Sequence, residues 1–185
     1  MFEEALSHVV ARLETARSQG LLGGYALIGG FAVAAWGVPR ATQDIDFAVA
    51  TGTKEPHALA AFMDGHYDSG DPDDPLRGVI RGTVTVGSAS VPLQLVFLHP
   101  AFTEAVFRHV ETLSVSGCTV PVVTWSMLVL LKLYAGGPQD LLDARQILNV
   151  KQPSMAELQE IAKLAGTLGI LEEWSALSAE YSKRQ

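Results

Sequence analysis

The segment that most restricts what this chain can become runs from Tyr25 to Val49, YALIGGFAVAAWGVPRATQDIDFAV. A short apolar run, Tyr25 to Ile28, meets the pair Gly29-Gly30. An alanine-rich stretch, Phe31 to Trp36, follows and is stopped by Gly37 and Pro39; a second strand-like run then spans Asp44 to Val49. Strand, tight turn, helix and strand are compressed into one short unit, and such units build layered α/β sheets. Within the second strand Asp44 and Asp46 alternate with Ile45 and Phe47. Residues two apart on a strand share a face, so both carboxylates project together while Ile45 and Phe47 enter the core.

Two adjacent carboxylates repel each other unless a cation or a proton relieves them. Hard oxygen ligands of this kind suit Mg²⁺ or Mn²⁺. Two-metal phosphoryl chemistry uses carboxylates that bridge ions ~3.5–4 Å apart. Glycines at a strand end before a helix let backbone N–H groups approach a phosphate, and the helix dipole adds to the attraction. Arg40 and Thr42 lie between the two features and suit phosphate or sugar oxygens. Each feature alone has an ordinary reading: a Gly-Gly pair is a turn, and an Asp-x-Asp is a solvated strand end. Joined in one unit, they point to a nucleoside triphosphate held at Gly29, Gly30, Arg40 and Thr42, with a divalent metal at Asp44 and Asp46.

The rest of the chain supplies a frame for that unit. Residues 2 to 18 carry apolar side chains at helical spacing and end at Gly20; 56 to 64 and 101 to 109 also read as helices. Val79 to Val86, Val91 to Leu98 and a stretch or short pair over 112 to 123 read as strands, and Asp68 to Pro75 as a loop. From Thr124 the pattern is helical: Thr124 or Ser126 caps a helix to about Ala135, Pro138 opens another to about Asn149, and 154 to 166 and 169 to 182 supply two more. The expected architecture is α/β (α+β): a small mixed sheet flanked by helices over residues 1–122, with a helical C-terminal region, 123–185, packed on it.

Composition narrows the partners. The chain has 185 residues with 48% hydrophobic content, ample for a core, and 13 basic against 20 acidic residues, a formal charge of −7. That balance argues against non-specific coating of nucleic acid, which needs a broad basic face, but not against a locally held RNA or nucleotide. The lone cysteine, Cys118, makes no internal disulfide, is expected as a buried small hydrophobe and fits a reducing cytoplasmic setting. No apolar run is long enough to suggest a membrane span, and residues 1–20 do not read as a signal peptide. The histidines show no metal-ligand spacing.

The run Gly29-Gly30-x-Ala32 followed by Arg40-x-Thr42-x-Asp44-Ile45-Asp46-Phe47 resembles the nucleotidyltransferases of the DNA polymerase beta-like superfamily. It is most similar to the AbiEii-type branch of abortive-infection toxins and its uncharacterised relatives. A second segment, LKLYAGGPQDLLD, carries Lys132, Ala135, Gln139, Asp140 and Asp143 and resembles the family's helical motif. The resemblance implies metal-dependent transfer of a nucleoside monophosphate from an NTP to a hydroxyl acceptor, with release of pyrophosphate. Gly29 and Gly30 would hold the β- and γ-phosphates, Asp44 and Asp46 the metal, and Lys132 the phosphate charge. Asp140 or Asp143 would position metal, lysine or acceptor. The ordinary alternatives are a snorkelling lysine and a helix-terminus carboxylate. The acceptor is left open among tRNA, protein and small molecule, and a cognate antitoxin protein is an implied partner.

One departure stands out. Family members carry a third carboxylate on a later strand, and the matching residue here is Gln94 in VPLQLVF. An amide carries no charge and is no base. Asp68, Asp71, Asp73 or Asp74 from the acidic loop, or the helical acids Asp140 and Asp143, could replace it. Gly30 and Gly137 stand where relatives have serine and arginine, which removes phosphate contacts. An active enzyme, a nucleotide-binding pseudoenzyme and an interaction subunit therefore remain as three readings of the same fold.

Overall fold

The computed structural model describes residues 2–70 and 76–183. Its strands are β1 (Leu22–Leu27), β2 (Ile45–Thr51), β3 (His66–Ser69), β4 (Leu76–Val86), β5 (Ala89–Leu98), β6 (Val110–Val115) and β7 (Cys118–Val123). They form one mixed sheet in the order β3-β4-β5-β2-β1-β7-β6. β2 runs antiparallel to β1 and parallel to β5, while β1 and β7 are parallel. The hairpins β4–β5 and β6–β7 extend the sheet on its two sides. The helices are α1 (Phe2–Ser18), α2 (Gly29–Ala35), α3 (Pro56–Phe62), α4 (Pro100–Arg108), α5 (Trp125–Ala135), α6 (Pro138–Lys151), α7 (Met155–Thr167) and α8 (Leu171–Ser182). Mixed α/β architecture is thus observed as expected.

Local chemistry explains the boundaries that matter. α1 buries Ala5, Leu6, Val9, Leu13 and Ala16, the stripe that its periodicity marks. α5 starts where the Thr124 hydroxyl accepts the N–H of Met127, and it ends at Gly136 in the left-handed region. From Met127 to Leu133 every residue of α5 is buried, so this helix is apolar all round and runs through the core; Lys132 is the only charged residue on it. Met127, Val129 and Leu130 join Leu27, Ile45, Phe47 and Leu95 of the sheet in one hydrophobic cluster. The 122/123 boundary drawn from sequence falls at the end of β7.

Three readings need correction. Asp44 precedes β2 rather than lying in it. Asp68, read as loop, lies in β3, because its segment pairs with β4 through Asp68↔Val79; Asp71, Asp73 and Asp74 lie outside the described residues. Cys118, read as buried, is only partly so, at the start of β7 on the outer hairpin.

Candidate functional site

Asp46 is the second residue of β2 and is paired in parallel register with Gln94 of β5. Neighbours in register point to the same side of a sheet, so the carboxylate and the amide share a face. Asp44, just before the strand, reaches the same space, and its Oδ1 accepts the Thr42 hydroxyl at 2.7 Å. Gly29 adopts a φ of +66°, and a Cβ there would overlap the Asp46 carboxylate. A Cβ on Gly30 would lie 2.6 Å from Thr42 Oγ1. The glycine pair is thus required sterically: it lets the turn between β1 and α2 close against Thr42 and the acids.

These groups surround a cavity of about 510 Å³. Its polar end is formed by Gly29, Gly30, Arg40, Asp44, Asp46, Gln94, Lys132 and Asp140. Its other end is apolar: Leu76, Val96, Leu98, Leu128, Leu131, Tyr134 and Ala135. Leu128, Leu131, Lys132 and Ala135 stand at i, i+3, i+4 and i+7, so one stripe of α5 roofs the sheet face that carries Asp46 and Gln94. Tyr134 stacks on Phe102 of α4, with ring centroids 3.8 Å apart.

The cations of the site are already partnered. Lys132 Nζ donates to Asp140 Oδ1 at 2.7 Å and lies 3.0 Å from Asp143 Oδ2. Arg40 Nε lies 3.2 Å from the same Asp143 oxygen. Neither Arg40 Nε nor Asp143 Oδ2 is aligned for a hydrogen bond, so these contacts are ionic in distance only. Asp143 Oδ1 accepts from Gln139 at 2.9 Å. Asp143 is 0% exposed and does not line the cavity; it stands behind Lys132 and Arg40 and tethers both. Thr42 likewise stays outside this cavity and acts on it through Asp44. Asp68 pairs with Arg81 and His66 on β3–β4 and does not line it either.

With Arg40 and Lys132 engaged by Asp140 and Asp143, Asp44 and Asp46 make no ion pair among the described residues. The Asp46 carboxyl is accordingly pushed up to about 7, first by burial and then by the charge of Asp44, against the pull of Lys132 and Arg40. No cluster of three His, Cys, Asp or Glu side chains suited to a metal occurs among the described residues. The donor set is two carboxylates, which fits a hard ion such as Mg²⁺ that completes its shell with water and phosphate oxygens rather than a protein-only cage.

Sequence reasoning missed the apolar end and the Arg40–Asp143 pair. For the first, the stripe on α5 and the alternation Gln94, Val96, Leu98 on β5 mark which side chains share a face but not that a cavity lies between the two faces. For the second there was no signal, since the pair is made by tertiary packing. No helix among the described residues is long and apolar enough to cross a membrane.

No known protein family matches the chain by sequence, and no curated protein does. Solved structures do match in three dimensions. An antigenic nucleotidyltransferase-like protein from Paracoccidioides brasiliensis superposes with a TM-score of 0.50 at 18% identity, covering 95% of this chain and 93% of that one. The antibiotic-resistance factor ANT(2'')-Ia in solution gives 0.53 at 12% identity, covering 98% and 99%. The same factor in complex with adenylyl-2"-tobramycin gives 0.51 at 13%, covering 95% and 98%. At these identities the likeness is one of fold, and along nearly its whole length the chain has the fold of nucleotidyltransferase-like proteins.

Proposed function

We propose that the chain is a metal-dependent nucleotidyltransferase that moves a nucleoside monophosphate from an NTP to a hydroxyl acceptor and releases pyrophosphate. The observation that carries this reading is the convergence of Gly29, Gly30, Asp44, Asp46 and Lys132, from distant parts of the chain, on one cavity in this fold. Asp44 and Asp46 would hold Mg²⁺ or Mn²⁺, which when bound neutralises phosphate charge and polarises the α-phosphorus. Gly29 and Gly30 would present backbone N–H groups to the triphosphate beside the acids. Lys132, a compact cation on a buried helix, would turn from Asp140 toward the departing pyrophosphate as negative charge builds there. Arg40, held beside Lys132 by the same Asp143 oxygen, would meet the phosphates at the polar end of the cavity. Asp143 acts as a positioning residue, since it holds Lys132 and Arg40 without reaching the cavity. Asp140 modulates the lysine by competing for it.

Transfer of label from α-phosphate-labelled NTPs to a panel of RNA, protein and small hydroxyl acceptors tests the reading. Labelled product with wild type, lost in Asp46→Asn, is the expected outcome; no transfer and no Mg²⁺-NTP binding would end it. Gln94 favours a second reading, a pseudoenzyme that binds nucleotide without transfer. An antitoxin partner and a cytoplasmic setting, implied by the AbiEii-type resemblance and the single cysteine, complete the proposal; co-purification from the native host tests the partner.

A further inference from the structure

We propose that the acceptor is an aryl hydroxyl, entering from the β5 side of Asp46; this rests on the transfer reading above. The sheet order supplies the direction. Asp46 on β2 stands between β5, which carries Gln94, and β1, which ends in the Gly29-Gly30 turn. In-line displacement puts the entering and leaving oxygens on opposite sides of the α-phosphorus. With pyrophosphate at the glycine turn, the acceptor oxygen arrives over Gln94.

Two properties of that side select the acceptor. The first is that, among the described residues, neither β5 nor β4 beside it offers the acceptor a base. β4 and β5 contain no acidic residue. Gln94 has Asp46 as one strand neighbour, committed to metal, and Arg81 as the other, a cation paired with Asp68. An aliphatic hydroxyl is about as weak an acid as water, pKa about 15.7, and needs a base; a phenol, at roughly 10, is ionised to a useful extent without one. The second property is the wall. Beyond Gln94 the same face of β5 continues as Val96 and Leu98, Leu76 pairs with Leu98, and Leu131 and Tyr134 close the roof. A sugar or other polyol would leave hydroxyls unpaired against these side chains, whereas a ring buries its faces there.

The step balances without a co-reactant. The phenol loses its proton to solvent, and the aryl oxygen attacks the α-phosphorus. The new aryl O–P bond forms as the P–O bond to the β-phosphate breaks, and that electron pair leaves with pyrophosphate. The product is an aryl nucleoside-phosphate diester.

The test uses the full chain, Mg²⁺ and each α-labelled NTP. Acceptors are p-cresol, N-acetyltyrosinamide and a tyrosine-containing peptide, against cyclohexylmethanol, N-acetylserinamide and tobramycin. We expect the aryl acceptors to be labelled about 100-fold faster than the alcohols, the scale of a missing general base. Across para-substituted phenols the pH at which the rate levels off should follow the phenol's acidity. Preference for peptide or for p-cresol separates a protein source from a small-molecule one. Gln94→Glu should raise transfer to cyclohexylmethanol at least about tenfold and so narrow the gap. Leu76→Asn, at a partly exposed position, should raise KM for p-cresol severalfold while the Mg²⁺-NTP thermal shift persists. Loss of that shift in Leu76→Asn would assign the apolar end to the base of the nucleotide and overturn the proposal. Equal labelling of alcohols or tobramycin, or no aryl product while Mg²⁺-NTP still binds, would also overturn it and leave nucleotide binding at this site standing. Absence of both transfer and binding would overturn the transfer reading itself.

Discussion

Lys132 Nζ lies 3.0 Å from Asp143 Oδ2, and the two side chains are among the least exposed charges in the molecule, at 8% and 0%. Arg40, in the loop between α2 and β2, lies 3.2 Å from the same carboxylate oxygen, so one buried acid holds two cations side by side at the polar end of the cavity. Removing one member of a buried charge set leaves the others without compensation, at a cost of about 3–5 kcal/mol. Asp143→Ala should therefore destabilise the chain by about 3–5 kcal/mol in urea melts. Lys132→Met/Asp143→Leu should recover much of this, because it removes the mismatch. An Asp143→Ala variant as stable as wild type would refute the tether.

Asp46 gives the metal-free protein a pH signature. Its carboxyl is raised from the ordinary value of 3.8 to about 7. Between those values the folded chain holds a proton that the unfolded chain has released, so stability falls as pH rises through this window. Melts of the EDTA-treated protein should show greater stability at pH 5 than at pH 8, with the loss complete once pH passes about 7. Asp46→Asn removes the titrating group and should flatten this part of the profile. An unchanged slope in Asp46→Asn would show that other groups set it.

Much of this frame was legible because local and tertiary demands agree. The alternation Ile45-Asp46-Phe47 buries two residues and turns Asp46 to the cavity, which Asp44 reaches from just before the strand. Lys132, Asp140 and Asp143 were legible only through the resemblance of LKLYAGGPQDLLD to a family motif; the residues alone allowed a snorkelling lysine, whereas in the fold the lysine is buried and paired with both acids. The apolar end of the cavity was not legible, since Val96 and Leu98 have the composition of any core strand. Whether an apolar side chain lines a cavity or fills a core depends on what packs opposite, and here that is α5. Asp68 was misread because the run of Asp, Gly and Pro resembles a loop throughout, yet Asp68 and Ser69 pair with Val79 and Gly78 of β4.

The acid pair predicts how metal and nucleotide bind. On the proposed function, two carboxylates alone would make a weak Mg²⁺ site, and triphosphate oxygens would complete it. Mg²⁺ without NTP should shift Tm little, whereas both at ~100 Kd should stabilise by about 2.7 kcal/mol, a rise of roughly 5–10 °C. EDTA should abolish the rise, and so should Asp46→Asn, whose metal-free fold should be at least as stable near neutral pH because like-charge repulsion is relieved. Full stabilisation of Asp46→Asn by Mg²⁺-NTP would sink the assignment of these acids.

The glycine pair yields the sharpest steric test. Gly30 stands where the family that the motif resembles has serine, and the structure gives a reason: the Thr42 side chain occupies the space, with Oγ1 and Cβ both 2.6 Å from where a Cβ on residue 30 would lie. Thr42 in turn spends its hydroxyl on Asp44 Oδ1 at 2.7 Å. Gly30→Ser must therefore push Thr42 aside and loosen Asp44, although it adds a hydroxyl that could in principle serve a phosphate. Overpacking of this kind costs about 1–3 kcal/mol, so Gly30→Ser should lower stability by that amount and weaken the Mg²⁺-NTP thermal shift rather than strengthen it. Thr42→Gly in the same chain removes the Cβ that collides and should return most of the lost stability, but not the Asp44 hydrogen bond. If Gly30→Ser alone were neutral in urea melts and bound Mg²⁺-NTP more tightly, residue 30 would be a phosphate contact with room to spare, and the steric account of this turn would be wrong.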